Sequence, residues 1–349
     1  MDVNGPQLQL TLNVPIFKSL INEERTGQCV SMKRFVFLVT AVAVATLTAC
    51  TTAPETGRSQ LILIDPAQET KLGFQAFRAM KRNEPIVTSG SQAKRLQRVG
   101  KRIAAVAKVS HAQWEFVLFK NSDSANALAL PGGKVGVYTG ILPITKNEAG
   151  LATVIAHEIA HVTHRHGAER MSQSMLIDVG GSVLSGALGQ NSVTHDMVMQ
   201  AYSLGTKVGV ALPYSRTQEL EADHMGLLYM ARAGYDPRQA VAFWQRFAEY
   251  GRKRGSKPPE FLSTHPVDKT RIAALKRLMP KALQEYKRAK ARRWWDIARR
   301  APLFLVALDG REGRDLKSCL AKTDPRVVLH YAAFGAVPVQ VQTWLLGLV

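Results

Sequence analysis

The sequence predicts an α+β fold, mostly helical with one small sheet. Three observations lead there. Apolar residues recur at helical spacing through long stretches, as in Leu96, Val99, Ile103 and Val106. Residues that favour strands gather instead in short runs between Trp114 and Leu142: "WEFVLFK", "NALAL" and "PGGKVGVYTGIL". Past that point the helical pattern resumes, up to a last helix starting near Val267.

The first segment with a clear character begins at Met32. Lys33 and Arg34 precede an apolar stretch from Phe35, and the run ends in Leu47-Thr48-Ala49-Cys50. Charge, apolar core and small residues in that order mark a secretory signal. A membrane-spanning anchor is the competing reading, but the run is too short and no stop-transfer cluster of charge follows it. Its last four residues resemble a bacterial lipobox, whose cysteine is lipidated and becomes the mature N-terminus. Translation is therefore expected to begin at Met32, with 1–31 a misassigned extension and 32–49 absent from the mature chain. Thr51 after the lipidated Cys50, where Asp would direct otherwise, favours the outer membrane of a Gram-negative envelope, facing the periplasm.

Residues 50–64 read as a polar tether, with Pro54, Gly57 and several threonines. Asp65-Pro66 then opens a helix to about Arg82, Asp65 as its cap and Pro66 at its first position. A second helix spans about Ser91 to Ala107. After the strands, Asn147 is placed to cap a helix from Glu148 to about Gly167, where the glycine is placed to end it. Residues 171–212 read as helical but glycine-rich, with no stretch long and apolar enough to cross a bilayer. Helices are expected at about 216–233 and 237–249, broken by "AGYDP".

Composition sets wide bounds. The chain has 349 residues, 46% apolar and 21% charged, which suits a globular protein with a buried core. Its formal charge is +19, but much of the excess is local: residues 271–300 hold eleven Lys or Arg against two acids. A solvated helix explains such a run, and anionic lipid headgroups are the partner it would otherwise suit. Nucleic-acid binding conflicts with an export signal. Cys29, Cys50 and Cys319 are too few for a disulfide framework.

The chemistry is concentrated in "TVIAHEIAHVTHRHGAERMS". On a helix, His157 and His161 leave the same face one turn apart, which lets two imidazoles share one metal ion. Glu158 is too close in sequence to bind comfortably but stands where a general base is needed. The preceding "LATVIA" makes this a core helix, where unpaired imidazoles would be costly. A third ligand is required. On an unbroken helix His164 lies two turns from His157, roughly 10 Å along the axis, so it cannot share the ion. His164 and His166 are expected to support a ligand, cap the helix or lie at the surface. The better source is "YSRTQELEADHMG", where Glu219 and Asp223 share a helix face and Glu221 points elsewhere. One carboxylate would complete the metal site and the other would fix a ligand histidine through a hydrogen bond.

With both motifs in hand, the chain resembles family forty-eight of the M-class metallopeptidases, the gluzincin group that includes HtpX, BepA and LoiP, and is most similar to the short LoiP-like lipoproteins. "TGRSQL", "NALALPGGKVGVYTGIL", the histidine stretch, "YSRTQELEADHMG" and "STHPVDKTRIAAL" carry the resemblance, which covers about residues 50–285. It implies a gluzincin-type domain over 65–285 and one zinc ion per chain held by His157, His161 and Glu219. It also implies Glu158 as general base and Asp223 behind a ligand histidine. The strand Gly133, Lys134, Val135, Gly136, Val137 and Tyr138 resembles an edge strand above the zinc, where an extended substrate pairs by strand addition. His265 matches a histidine on a loop that approaches the zinc and holds the enzyme latent. Tyr214, Arg216 and His265 are three candidates for stabilising an oxyanion. The repeat domain and membrane helices of some relatives have no counterpart here, and residues 286–349 stay unassigned.

The expected function is zinc-dependent hydrolysis of peptide bonds in misfolded or unassembled envelope proteins, by an endopeptidase held to the membrane through Cys50, with the basic segment 271–300 as a second contact unless it is only a solvated helix. A non-catalytic lipoprotein that chaperones outer-membrane proteins is the alternative. It has no need of Glu158.

Overall fold

In a computed structural model, the described residues are 50–107, 109, 112–188, 193–207, 211–255 and 259–308. The signal segment expected at 32–49, and the tail beyond 308, lie outside them.

Two short strands, β1 (Cys50–Thr52) and β2 (Ser59–Leu61), pair as a ribbon. Helix α1 (Pro66–Asn83) follows; Asp65 caps it by accepting hydrogen bonds from the amides of Ala67 at 2.8 Å and Gln68 at 3.2 Å. Helix α2 (Gly90–Ala107) buries Leu96, Val99 and Ile103, the stripe its spacing predicts.

The sheet is built from β3 (Glu115–Phe119), β4 (Ala127–Leu130) and β5 (Lys134–Tyr138) in the order β3-β5-β4. Strand β5 pairs parallel with β3, Glu115 opposite Lys134, and antiparallel with β4, Ala127 opposite Val137. This corrects the expectation for 133–138: that strand lies in the middle of the sheet. The turn between β4 and β5 uses Gly132 (φ +80°) and Gly133 (φ +86°), a conformation that suits residues without a Cβ. It folds β4 back along one side of β5 and leaves the other side to β3. The edges are therefore β3 and β4. Along β3 run residues 85–87, with Val87 N–H on the Leu118 carbonyl and Lys120 N–H on that of Pro85, both bonds under 3 Å at 2.8 and 2.7 Å. Among the described residues β4 has a strand partner on one side only, which leaves its other edge open, and it packs against the motif helix.

A short helix α3 (Leu142–Thr145) leads into α4 (Glu148–Thr163), whose cap Asn147 accepts from the Gly150 amide at 2.9 Å. Every residue from Gly150 to His161 is buried. A helix apolar on all sides belongs in the middle of a core, and α4 packs against α2, β4 and the later helices. It ends earlier than Gly167. His164 caps it, Arg165 takes φ +50°, and α5 (His166–Leu188) starts in a new direction with Gly167 inside it. The continuous helix that placed His164 above His157 is thus broken, and the turn brings His166 back beside His161.

Helices α6 (Val193–Thr206), α7 (Leu212–Arg232), α8 (Arg238–Lys253) and α9 (Glu260–Thr264) follow. The last, α10 (Lys269–Leu308), runs unbroken past residue 285, where the tail was expected to begin. Among the described residues no helix is long and apolar enough to cross a membrane.

Candidate active site

The core helix α4 presents His157, Glu158 and His161, and α7 presents Glu219 and Asp223 beside them. Ligand atoms of His157, His161, Glu219 and His265 lie within 4.8 Å of one another. The two histidines meet through Nε2, 3.2 Å apart. Glu219 stands 3.2 Å from His157 Nε2 through Oε2 and 3.4 Å from His161 Nε2 through Oε1. Zinc at 2.0–2.1 Å from each of four ligands sets a tetrahedral edge of about 3.3 Å, so these spacings fit the ion. Two imidazoles and a carboxylate are also the donors it takes. Zinc is thus the metal this cluster suits.

The fourth corner belongs to His265. Its Nδ1 lies 3.3 Å from His157 Nε2 and 2.9 and 3.0 Å from the two Glu219 oxygens. It follows α9, whose Phe261 packs on its ring at 4.5 Å and stacks on Trp244. Trp244 in turn meets the His157 ring edge-on at 5.2 Å. This aromatic wall fixes both imidazoles.

Glu158 is 3% exposed and its Oε1 makes no hydrogen bond within the described residues; His265 Nε2 stands 3.5 Å away. Burial raises its pKa, against the pull of His265 and His157 and of a hydrogen bond from the Ala129 backbone of β4. A carboxyl poised in that way suits proton transfer. Burial opposes charge on His157, but Asp223 and Glu219 outweigh it and hold the metal-free ring at about 9. At His161 burial prevails and the pKa falls.

Each ligand histidine is held from behind. His157 Nδ1 faces Asp223 Oδ1 at 3.1 Å. Burial would raise the Asp223 pKa, but Arg271 keeps it low, binding both its oxygens. His161 Nδ1 lies 2.8 Å from His166 Nδ1, and His166 Nε2 lies 2.9 Å from Glu221 Oε2. Glu221 faces away from the cluster as its spacing predicts, yet reaches it through His166. Of the oxyanion candidates, Arg216 is exposed and the Tyr214 side chain is outside the described residues, while His265 sits in the cluster. Arg58 and Arg271 were not singled out by sequence reasoning. Both lie in segments quoted for the resemblance, "TGRSQL" and "STHPVDKTRIAAL", and a lone arginine there carries no signal until its buried carboxylates are seen.

The sequence profile of Peptidase family M48 matches residues 90–279, just over half of the chain. The chain belongs to peptidase family M48. Its similarity extends to individual members of known name. The mitochondrial metalloendopeptidase OMA1 of Schizosaccharomyces pombe is 38% identical over 187 residues, 54% of this chain and 53% of that protein. OMA1 of Arabidopsis thaliana is 37% identical over 192 residues, 54% and 37% of the two chains. The beta-barrel assembly-enhancing protease of Escherichia coli K12 is 31% identical over 239 residues, 66% and 48%. The chain spans about half the length, or less, of these relatives. As an M48 member it has its two motif histidines, the glutamate between them and the downstream glutamate brought together in one buried cluster.

Proposed function

We propose that the chain is a zinc-dependent endopeptidase, bound by lipid on Cys50 to a bacterial cell envelope, that hydrolyses misfolded or unassembled envelope proteins. One observation carries the activity: His157, His161 and Glu219 converge at zinc spacing with Glu158 beside them, under the open edge of β4. Bound zinc supplies a Lewis acid for the scissile carbonyl and acidifies water. The protein's own groups do the rest. An extended peptide adds to β4 by backbone hydrogen bonds, which select unfolded chain over folded. Glu158 accepts the proton of the attacking water and returns it to the leaving amine. Asp223 and His166 hold the ligand rings in place, and His265 rests in the fourth corner as a gate that substrate must displace.

The location rests on the signal-like run ending at Cys50, on Thr51 after it, and on likeness to an Escherichia coli protein named for β-barrel assembly. The basic face of α10, with Lys276, Lys281, Lys287 and Arg288 exposed, suits anionic headgroups beside the lipid. The mitochondrial relatives of Schizosaccharomyces pombe and Arabidopsis thaliana have higher identity, 38% and 37% against 31%, so the envelope assignment depends on the N-terminal segment.

The test is cleavage of an unfolded protein by the chain from Cys50, beside Glu158→Gln, with and without a chelator. Chelator-sensitive cleavage by the parent alone supports the enzyme. No cleavage by either points to latency or to the chaperone alternative, and zinc present in both shows a site that is assembled but closed.

A further inference from the structure

His161 turns Nε2 toward the ligand cluster and Nδ1 toward His166. Behind His166 the contacts continue out of the helices and into the segment that follows β1. Glu221 receives His166 on Oε2 and, on the same oxygen, Arg58 Nε at 2.9 Å and Nη2 at 2.8 Å; Thr56 donates its hydroxyl to the other oxygen. Arg58 also binds Glu169 with both terminal nitrogens, at 2.7 and 2.8 Å. The same segment grips the turn at the end of α4: Gln60 Nε2 donates to the His164 carbonyl at 2.6 Å, and His164 Nε2 to that of Pro54 at 2.8 Å. His164, His166 and Glu169 are all 0% exposed, so none of these groups has water to fall back on.

A single order of protons satisfies the line. Glu221 is an acceptor only, so the neutral His166 ring carries its proton on Nε2 and leaves Nδ1 bare. His161 must then donate from its own Nδ1, which leaves its Nε2 free of a proton, and Nε2 is the atom that faces the ligand cluster. His157 has an equivalent support inside the domain, in Asp223 and Arg271. His161 has its support in His166 and Glu221, and Glu221 is held in turn from outside, by residues 53–60.

We propose that residues 53–60 are a strap that sets the tautomer and the plane of the ligand His161 through Glu221 and His166. Arg58, Glu221 and His166 are then positioning residues of the metal centre. The strap follows β1 directly, so it lies next along the chain to Cys50, where the proposed lipid would be. This rests on the metal reading of the cluster.

The test measures zinc affinity by competition with a chelator, the visible spectrum of the cobalt(II)-loaded protein, and the melting temperature without metal. It compares the parent chain with His166→Ala, His166→Asn, Arg58→Ala and Arg58→Lys. Loss of a group behind a metal ligand typically weakens binding about 10- to 100-fold. That loss is expected for His166→Ala, together with an altered cobalt spectrum, and partial recovery for His166→Asn, whose carbonyl stands in for the accepting Nδ1. Arg58→Ala is expected to shift both in the same direction. If it fails to fold, Arg58→Lys keeps a charge for Glu169 and is expected to lose part of the affinity. Melting temperatures that fall while zinc affinity and cobalt spectrum match the parent would overturn the proposal and leave the strap a structural brace. Affinity needs no turnover, so absent cleavage would fail the endopeptidase reading alone, whereas a parent that binds no zinc would overturn both.

Discussion

Gly226 of α7 lies against the backbone of His157 on α4: a Cβ at Gly226 would stand 2.9 Å from His157 N and 3.0 Å from its Cα. No side chain lies between the two helices there, and this close approach brings Asp223 and Glu219, one and two turns earlier on α7, up to the imidazoles. Neither backbone can yield without moving a ligand. Gly226→Ala is therefore expected to destabilise the fold by about 1–3 kcal/mol through overpacking. Urea denaturation checks the stability, and zinc content should fall with it as α7 is pushed off α4.

Arg271 is 4% exposed and spends its donors on three acceptors of the site. Nε and Nη2 hold Asp223 at 2.6 and 2.8 Å, and Nη1 reaches Glu219 Oε2 at 3.0 Å and the Pro266 carbonyl at 2.9 Å. It thus ties the His265 loop to the carboxylates behind the metal. Arg271→Ala leaves two buried carboxylates without their cation, a loss of about 3–5 kcal/mol. Arg271→Lys supplies a charge but no planar fork, and is expected to recover only part of it. Melting temperatures of the three proteins decide the order.

The helices were legible because each side chain that carries them repeats at a fixed spacing. The metal pair His157 and His161 was legible for the same reason, since one turn of helix is a local property. That one of Glu219 and Asp223 completes the site followed from their spacing together with a missing third ligand, and the choice of Glu219 came from the family resemblance. Two things were not local. Which strand forms the edge depends on β3 pairing with β5, and nothing in "GGKVGVYTG" records that it is flanked on both sides. The end of α4 depends on Arg165 taking a left-handed conformation, held by its bonds to Glu69 and the Ile64 carbonyl, about a hundred residues away in sequence. With that turn unseen, nothing chose among supporting a ligand, capping the helix and lying at the surface for His166; the structure places it behind His161.

Glu169 gives the strap a pH dependence. It is 0% exposed, and although burial opposes its charge, Arg58, Gln218 and Gln60 hold its pKa below the ordinary 4.5. A carboxyl depressed in the folded state adds stability above its unfolded pKa and loses it as pH falls through the folded one. The protein is therefore expected to lose stability as pH drops below about 4.5. Glu169→Gln should be less stable at neutral pH and show a shallower decline in acid, which denaturation midpoints at several pH values will reveal.

His265 supplies the last prediction. Its Nδ1 fills the fourth corner of the ligand set, and its Nε2 stands 3.5 Å from Glu158, so one ring covers both the metal position and the base. In the proposed gate substrate has to displace it, and the loop that carries it is short, from His265 to Asp268, between α9 and α10, with Arg271 in the first turn beyond it. If the closed arrangement holds most of the population, removing the ring raises the competent fraction, and an increase in cleavage rate on the order of tenfold is expected. His265→Ala should therefore cleave an unfolded protein faster than the parent while its zinc content stays the same. If the ring instead stabilises the oxyanion, the same variant slows by a hundredfold or so, in line with loss of one such donor, about 10²–10³. An unchanged rate across several substrates would leave His265 with neither role.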